Sequence, residues 1–194
     1  MTKVLLTGFE PFGKATLNPS GEIVKQISGD NIVTAILPVA YAQSAERLLA
    51  LITEQNPDVV ICLGQAEGRT QITPERIAIN LDDARIADND GEVRNDVPII
   101  VGGPVAYEST LPFKEFVAAI SAAGVPAAVS LSAGAFLCNH IFYVAQDKLK
   151  GTKVRSGFVH VPLMDEQAGE FPGLPTMPLD QMVKAVEIMI KVVI

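Results

Sequence analysis

The chain has 194 residues, 48% of them hydrophobic and 19% charged, and carries a formal net charge of −7. This length and composition suit one domain that buries roughly 70% of its unfolded surface, and they argue against a disordered chain. The negative balance, with no basic cluster, argues against nucleic acid or an anionic membrane surface as a partner.

Lys3–Thr7 reads as a first strand, because Val4-Leu5-Leu6 is too short for a signal peptide and breaks at Thr7-Gly8. A helix is predicted over Ser20–Ile27, a strand over Ile32–Leu37, a helix over Ala42–Thr53 and a strand over Asp58–Leu63, with Cys62 inside that strand as a structural residue. The following Gly64–Thr70 has the look of a phosphate loop but lacks its Gly-Lys-Ser/Thr ending. Arg76–Asn80 alternates as a strand, with Glu75 at its entrance.

Asp82–Tyr107 is the least regular stretch, and a long connection of this kind reads as a lid or contact surface. Its acids Asp82, Asp83, Asp88 and Asp90 read as solvated rather than as a cation site. Further on, helices are predicted over Pro112–Ala122 and Asn139–Lys148, and strands over Ala127–Leu131 and Gly157–Val161. A last helix, Leu179–Val193, confines Lys184, Glu187 and Lys191 to a narrow face, so its apolar remainder is expected to be buried in the domain or in an oligomer.

Strands alternating with helices, and strands rich in valine and isoleucine, predict an α/β fold: a three-layer α/β/α single domain over residues 1–194, with a mostly parallel, twisted central sheet. The most apolar stretch, Val125–Cys138, is interrupted by Ser130, Ser132 and Gly134 and falls short of the ~18–20 apolar residues of a membrane span. Two cysteines without a disulfide framework suit a reducing cytoplasm.

The chemistry concentrates after Ser130. Ser130-Leu131-Ser132-Ala133-Gly134-Ala135-Phe136 runs through small residues and delivers Cys138 to the start of a helix. There the unpaired backbone N–H groups and the positive end of the macrodipole favour the thiolate and can hold an oxyanion. The chain offers two histidines as its base. His140, two residues on along the helix, points away from Cys138, whereas His160 lies near the exit of a predicted strand, where it can serve a neighbouring thiol. Glu75 is suited to orient that imidazole; the alternative is a surface pair with Arg76 or Arg69. No His/Cys pair has zinc-ligand spacing, so no metal or other cofactor is expected. An inert core cysteine and a structural histidine are the competing readings. Two broader alternatives are a cysteine amidase or acyltransferase acting on another small amide, and a catalytically silent binding protein.

Four segments in order, Thr7-Gly8-Phe9-Glu10-Pro11-Phe12-Gly13 with Asn18-Pro19-Ser20, Gly64 through Asn80, Ser130 through Asn139, and Phe158-Val159-His160-Val161-Pro162, resemble the signatures of the pyroglutamyl peptidase I family, also called pyrrolidone carboxyl peptidases. The resemblance implies a metal-free cysteine exopeptidase that acts on N-terminally pyroglutamylated peptides, assembled as a homotetramer partly through Asp82–Tyr107. Carried over, it places the nucleophile on Cys138, the base on His160 and the acidic partner on Glu75. It places the lactam pocket on Phe9 and Phe12 with Asn18 and Gln65, and a further arginine on Arg85. This sequence departs from the family pattern at Glu67, where many relatives carry a small residue, and in a somewhat short Cys138–His160 connection and C-terminal region.

Overall fold

Parity along the strands divides the core in two. In the computed structural model, which describes residues 1–194, the elements in chain order are β1 (Val4–Phe9), α1 (Pro19–Gln26), β2 (Ile32–Leu37), α2 (Tyr41–Gln55), β3 (Val59–Gln65), β4 (Thr73–Pro74), β5 (Ile77–Ile79), β6 (Ala106–Glu108), α3 (Phe113–Ala122), α4 (Leu137–Leu149), β7 (Arg155–Val161), β8 (Leu163–Met164), a 3₁₀ turn (Asp165–Gln167), β9 (Thr176–Met177) and α5 (Leu179–Val193). The main sheet has the order β2-β1-β3-β7-β4, parallel throughout except for the β4–β7 edge. Successive strand side chains point to opposite faces. Val4, Leu6, Val59, Ile61, Leu63, Val159 and Val161 therefore join one cluster with α1, α3 and α5, while Leu5, Phe9, Val60, Cys62 and Phe158 join a second with α2 and α4. The three layers and mostly parallel sheet agree with the sequence expectation.

Local chemistry sets the helix starts. Asn18 caps α1 through Oδ1 on the Ser20 N–H at 3.1 Å, and Pro19 follows where its missing N–H costs nothing. Ala40 has no side chain to cap α2, so the acceptor comes from the long connection: Asp88 Oδ2 takes the Tyr41 N–H at 3.0 Å. The apolar faces of α5 are covered within the chain, since Met182, Ala185, Val186, Met189, Ile190 and Val193 are all buried. Burying each of its larger side chains contributes about 1.5–3 kcal/mol.

Three expectations need correction. Ala127–Leu131 is not a strand; it lies beside Ile72–Arg76 through isolated bridges at Ile72–Ala127 and Glu75–Ser130. Pro74 and Pro126 have no N–H to donate, which interrupts the ladder. β1 and β3 each run two residues further than expected, which carries Phe9 and Gln65 to the strand ends. Asp82 and Asp88 are buried and hydrogen-bonded, not solvated. No helix is long and apolar enough to cross a membrane.

Candidate active site

The chain leaves the carboxyl end of β1 toward β2 and that of β3 toward the β7–β4 side, which opens a crevice between these strand ends, the usual place for a ligand in an open α/β sheet. A pocket occupies it, lined by Phe9, Phe12, Asn18, Val39, Gln65, Phe136, Leu137 and Cys138. Four of the five residues expected at the substrate pocket, Phe9, Phe12, Asn18 and Gln65, thus meet the sulfur-bearing residue in one cavity. Arg85 does not. It is exposed in the long connection and makes no ion pair or hydrogen bond. The arginines that pair with buried carboxylates are Arg69, on Glu75, and Arg94, on Asp82, neither of which was singled out from the sequence as a site residue. Glu67 sits exposed in a turn outside the pocket lining.

Cys138 is the second residue of α4, whose N-cap, Phe136, supplies no side-chain bond, so the first-turn N–H groups lack intrahelical partners. The thiol is seated against the sheet where a side chain is missing. A Cβ built on Gly64 lies 2.8 Å from Cys138 Sγ and 2.7 Å from the Phe158 ring. Gly64 pairs in register with His160, and Phe158 lies two residues before it on the same face. The absent side chain of Gly64 is therefore what brings thiol and imidazole onto one patch of sheet. Gly64→Ala is expected to displace the thiol and slow its alkylation by iodoacetamide at least about tenfold, because small misplacements of reacting atoms cost rate steeply. An unchanged labelling rate in a folded variant would contradict this seating.

His160 is buried, and its Nδ1 lies 2.7 Å from Glu75 Oε1. A carboxylate only accepts, so Nδ1 carries the proton and Nε2 keeps its lone pair. The same Oε1 meets Arg69 Nη1 at 2.9 Å, and Arg69 also bonds to Thr73 Oγ1 and to the Ser132 carbonyl. Glu75 is wholly buried, and its Oε2 has no partner. The two readings of Glu75, imidazole partner and arginine partner, hold together, but in the interior and not at the surface.

The electrostatics differ from the thiolate expectation. Burial, and then the Glu75 charge, push the Cys138 thiol up to about 12, against a smaller lowering by Arg69. Burial also lowers His160, with the Glu75 hydrogen bond opposing it. Desolvation disfavours both charged forms more strongly than the helix terminus favours one of them. Both shifts favour thiol and neutral imidazole over the ion pair.

His140 belongs to a second buried set. Its Nδ1 lies 2.8 Å from Asp82 Oδ2, which Arg94 also reaches at 2.8 Å. Arg94 stacks over Tyr41, and Tyr41 meets His140 and the pocket residue Phe136 edge-on, with ring centroids 5.3 and 5.7 Å apart. Sequence spacing separates His140 from Cys138 but gives no sign of this bracing role.

Comparison with known proteins gives a consistent picture. The family profile described as Pyroglutamyl peptidase matches residues 2–194. The pyrrolidone-carboxylate peptidase of Aliivibrio fischeri (strain MJ11) is 49% identical, over 100% of this chain and 93% of its own length. That of Bacillus thuringiensis (strain Al Hakam) is 45% identical, over 99% of this chain and 93% of its own. Among solved structures, pyroglutamyl peptidase I from Bacillus amyloliquefaciens superposes with a TM-score of 0.94 at 44% identity, over 97% of this chain and 95% of that one. The A199P mutant of pyrrolidone carboxyl peptidase from Pyrococcus furiosus superposes with a TM-score of 0.92 at 40% identity, over 98% of this chain and 97% of that one.

Proposed function

The chain belongs to the pyroglutamyl peptidase family, and from that membership we propose that it removes the N-terminal pyroglutamyl residue from peptides with Cys138 as nucleophile, His160 as base and Glu75 as the group that orients His160. The observation that carries this reading is the pocket itself, which joins Phe9, Phe12 and Gln65 to Cys138.

His160 Nε2 takes the Cys138 proton as Sγ attacks the pyroglutamyl carbonyl, and the first-turn N–H groups of α4 stabilise the oxyanion. Because thiol and neutral imidazole are the favoured forms, proton transfer to His160 accompanies the attack of Sγ rather than preceding it. His160 then protonates the departing amine, leaving a thioester on Sγ. Water, deprotonated by the same Nε2, hydrolyses the thioester and returns thiol and imidazole. No step calls for a metal or other cofactor.

The ring of the substrate is a flat, uncharged lactam. Phe9, Phe12 and Phe136 offer faces and edges for it, and Gln65 the polar contact. Asn18 lines the wall, but its polar atoms serve the fold: Oδ1 accepts from the Ser20 N–H and hydroxyl, and Nδ2 donates to the Glu10 carbonyl. Proline has a similar ring without the carbonyl, and a site built to hydrogen-bond a missing group discriminates by roughly 10⁴-fold. The test is a panel of fluorogenic pyroglutamyl, prolyl and glutamyl amides. Turnover is expected for the first and almost none for the others; comparable kcat/KM for the prolyl amide would overturn the reading.

Val93, Val101 and Val105 in the long connection are exposed, Val101 at 88% and Val105 at 85%. Apolar side chains left uncovered there support a subunit contact, and the family resemblance supplies the number four. Static light scattering at micromolar concentration is expected to give four times the chain mass, and a monomer would refute it. The free thiols of Cys62 and Cys138 suit a reducing compartment, the cytoplasm.

A further inference from the structure

A second amide, deeper than the pocket, decides which way the polar group of the pocket faces. Gln65 ends β3 at the pocket wall, and its Oε1 accepts a hydrogen bond from Gln167 Nε2 at 3.0 Å. Its own Nε2 is buried without a partner. Gln167 is wholly buried in the 3₁₀ turn after β8.

The orientation of Gln167 is fixed by two backbone groups, each with only one possible role. The Met164 N–H can only donate, and it reaches Gln167 Oε1 at 3.1 Å. The Leu17 carbonyl can only accept, and it takes Gln167 Nε2–H at 3.2 Å. Turning the Gln167 amide over would set donor against donor and oxygen against oxygen. Its second Nε2 hydrogen then goes to Gln65, which must answer with its oxygen. The NH₂ of Gln65 is left at the pocket wall as an unspent donor. Leaving a buried donor unpaired is costly, and the cost is recovered when a carbonyl enters. The same short segment also holds the loop behind Phe12, since Glu170 accepts from the Thr16 N–H at 3.1 Å and from the Thr16 hydroxyl.

We propose that Gln167 is a positioning residue for substrate specificity: it locks Gln65 as a hydrogen-bond donor toward the ring carbonyl of the bound lactam. This rests on the pyroglutamyl reading above. Gln167 touches no substrate and acts only through Gln65.

The decisive variant is Gln167→Glu. It keeps an acceptor for the Met164 N–H but has no donor, so Gln65 turns its NH₂ inward and presents oxygen to the lactam oxygen. The expected result is a fall of about 10²-fold in kcat/KM for a pyroglutamyl amide, carried mostly by KM, with the rate of Cys138 alkylation by iodoacetamide unchanged. In a Gln65→Ala background the same substitution should cost less than about threefold more, since the residue it acts through is gone. Equal losses in both backgrounds, or an unaltered KM in Gln167→Glu, overturn the proposal. Should the variant fail to fold, the wild-type protein gives the answer by NMR of its side-chain amides. Saturating 2-pyrrolidinone is expected to move the Gln65 NH₂ protons downfield, and a Gln65 NH₂ that does not respond overturns the proposal as well. Failure of the wild-type enzyme to cleave any pyroglutamyl amide would sink the underlying function instead, so the two failures are distinguishable.

Discussion

Cys138→Ala is expected to lower turnover of a pyroglutamyl amide by at least about 10⁴-fold while leaving the melting temperature nearly unchanged. The sulfur is the only nucleophile lining the pocket, and its loss removes the bond that forms in the first step. Cys62→Ser should keep most of the activity. Cys62 sits mid-strand in β3, fully buried and outside the pocket lining, so substrate cannot reach it, whereas Cys138 is partly exposed in the pocket. Initial rates of both variants, normalised to folded protein, separate the two thiols; an active Cys138→Ala would end the assignment. Iodoacetamide should abolish wild-type activity and EDTA should leave it intact. Activity lost to EDTA and restored by zinc would mean that the metal-free mechanism is wrong.

His160→Ala should approach the loss of Cys138→Ala, and the double variant should be little worse than either, because the two act as one unit. Glu75→Gln is expected to cost about 10²–10⁴-fold, since an amide can present a donor to Nδ1 and stabilise the wrong tautomer. It also leaves the half-buried Arg69 without its counter-charge, so some loss of stability should accompany it. The pH profile is a further check. Catalysis needs one proton shared between Cys138 and His160. Below the His160 value the imidazole is already charged and cannot act as base, so kcat/KM falls as pH drops through that value. Because burial lowers His160 below 6.5 and pushes Cys138 up to about 12, the plateau should begin on the acid side of 6.5 and continue well above neutrality. A kcat/KM that keeps rising through pH 8–9 would instead show that the rate follows thiolate formation and not deprotonation of His160. His140→Ala is the control. It removes a partner of the buried Asp82, so its expected cost is in stability, with activity per folded molecule retained.

The parts of this site that were legible in the sequence are those written in local pattern. Cys138 follows a small-residue turn and opens a helix. His160 is near the end of an alternating run, and the β/α alternation fixes which ends of the strands face together. Pairings between distant polar residues leave no periodic trace. Arg69 reaching Glu75, Arg94 and His140 closing on Asp82, and Gln167 turning Gln65 depend on where loops from different parts of the chain come to rest. The acidity of the thiol was misjudged for a related reason. A helix terminus is visible in sequence, whereas the depth at which it sits is set by how Cys138 packs over Gly64. Ala127–Leu131 has the composition of a strand, and only its pairing with a segment that contains Pro74, which has no N–H to give, shows why the ladder breaks into isolated bridges.

The division of the core by strand parity gives the molecule a partition. Nucleophile, base and pocket aromatics occupy the α2/α4 side or the strand tips, while Val186, Met189 and their neighbours fill the far side of the sheet. Packed layers stand about 10 Å apart, the range beyond which substitutions without shared partners add in free energy. Ruggedness and specificity can therefore be tuned as separate axes: a library confined to the faces of α3 and α5 can change the melting temperature, and one confined to Phe12 and Phe136 can change substrate choice. The two sets of substitutions can then be combined by simple addition.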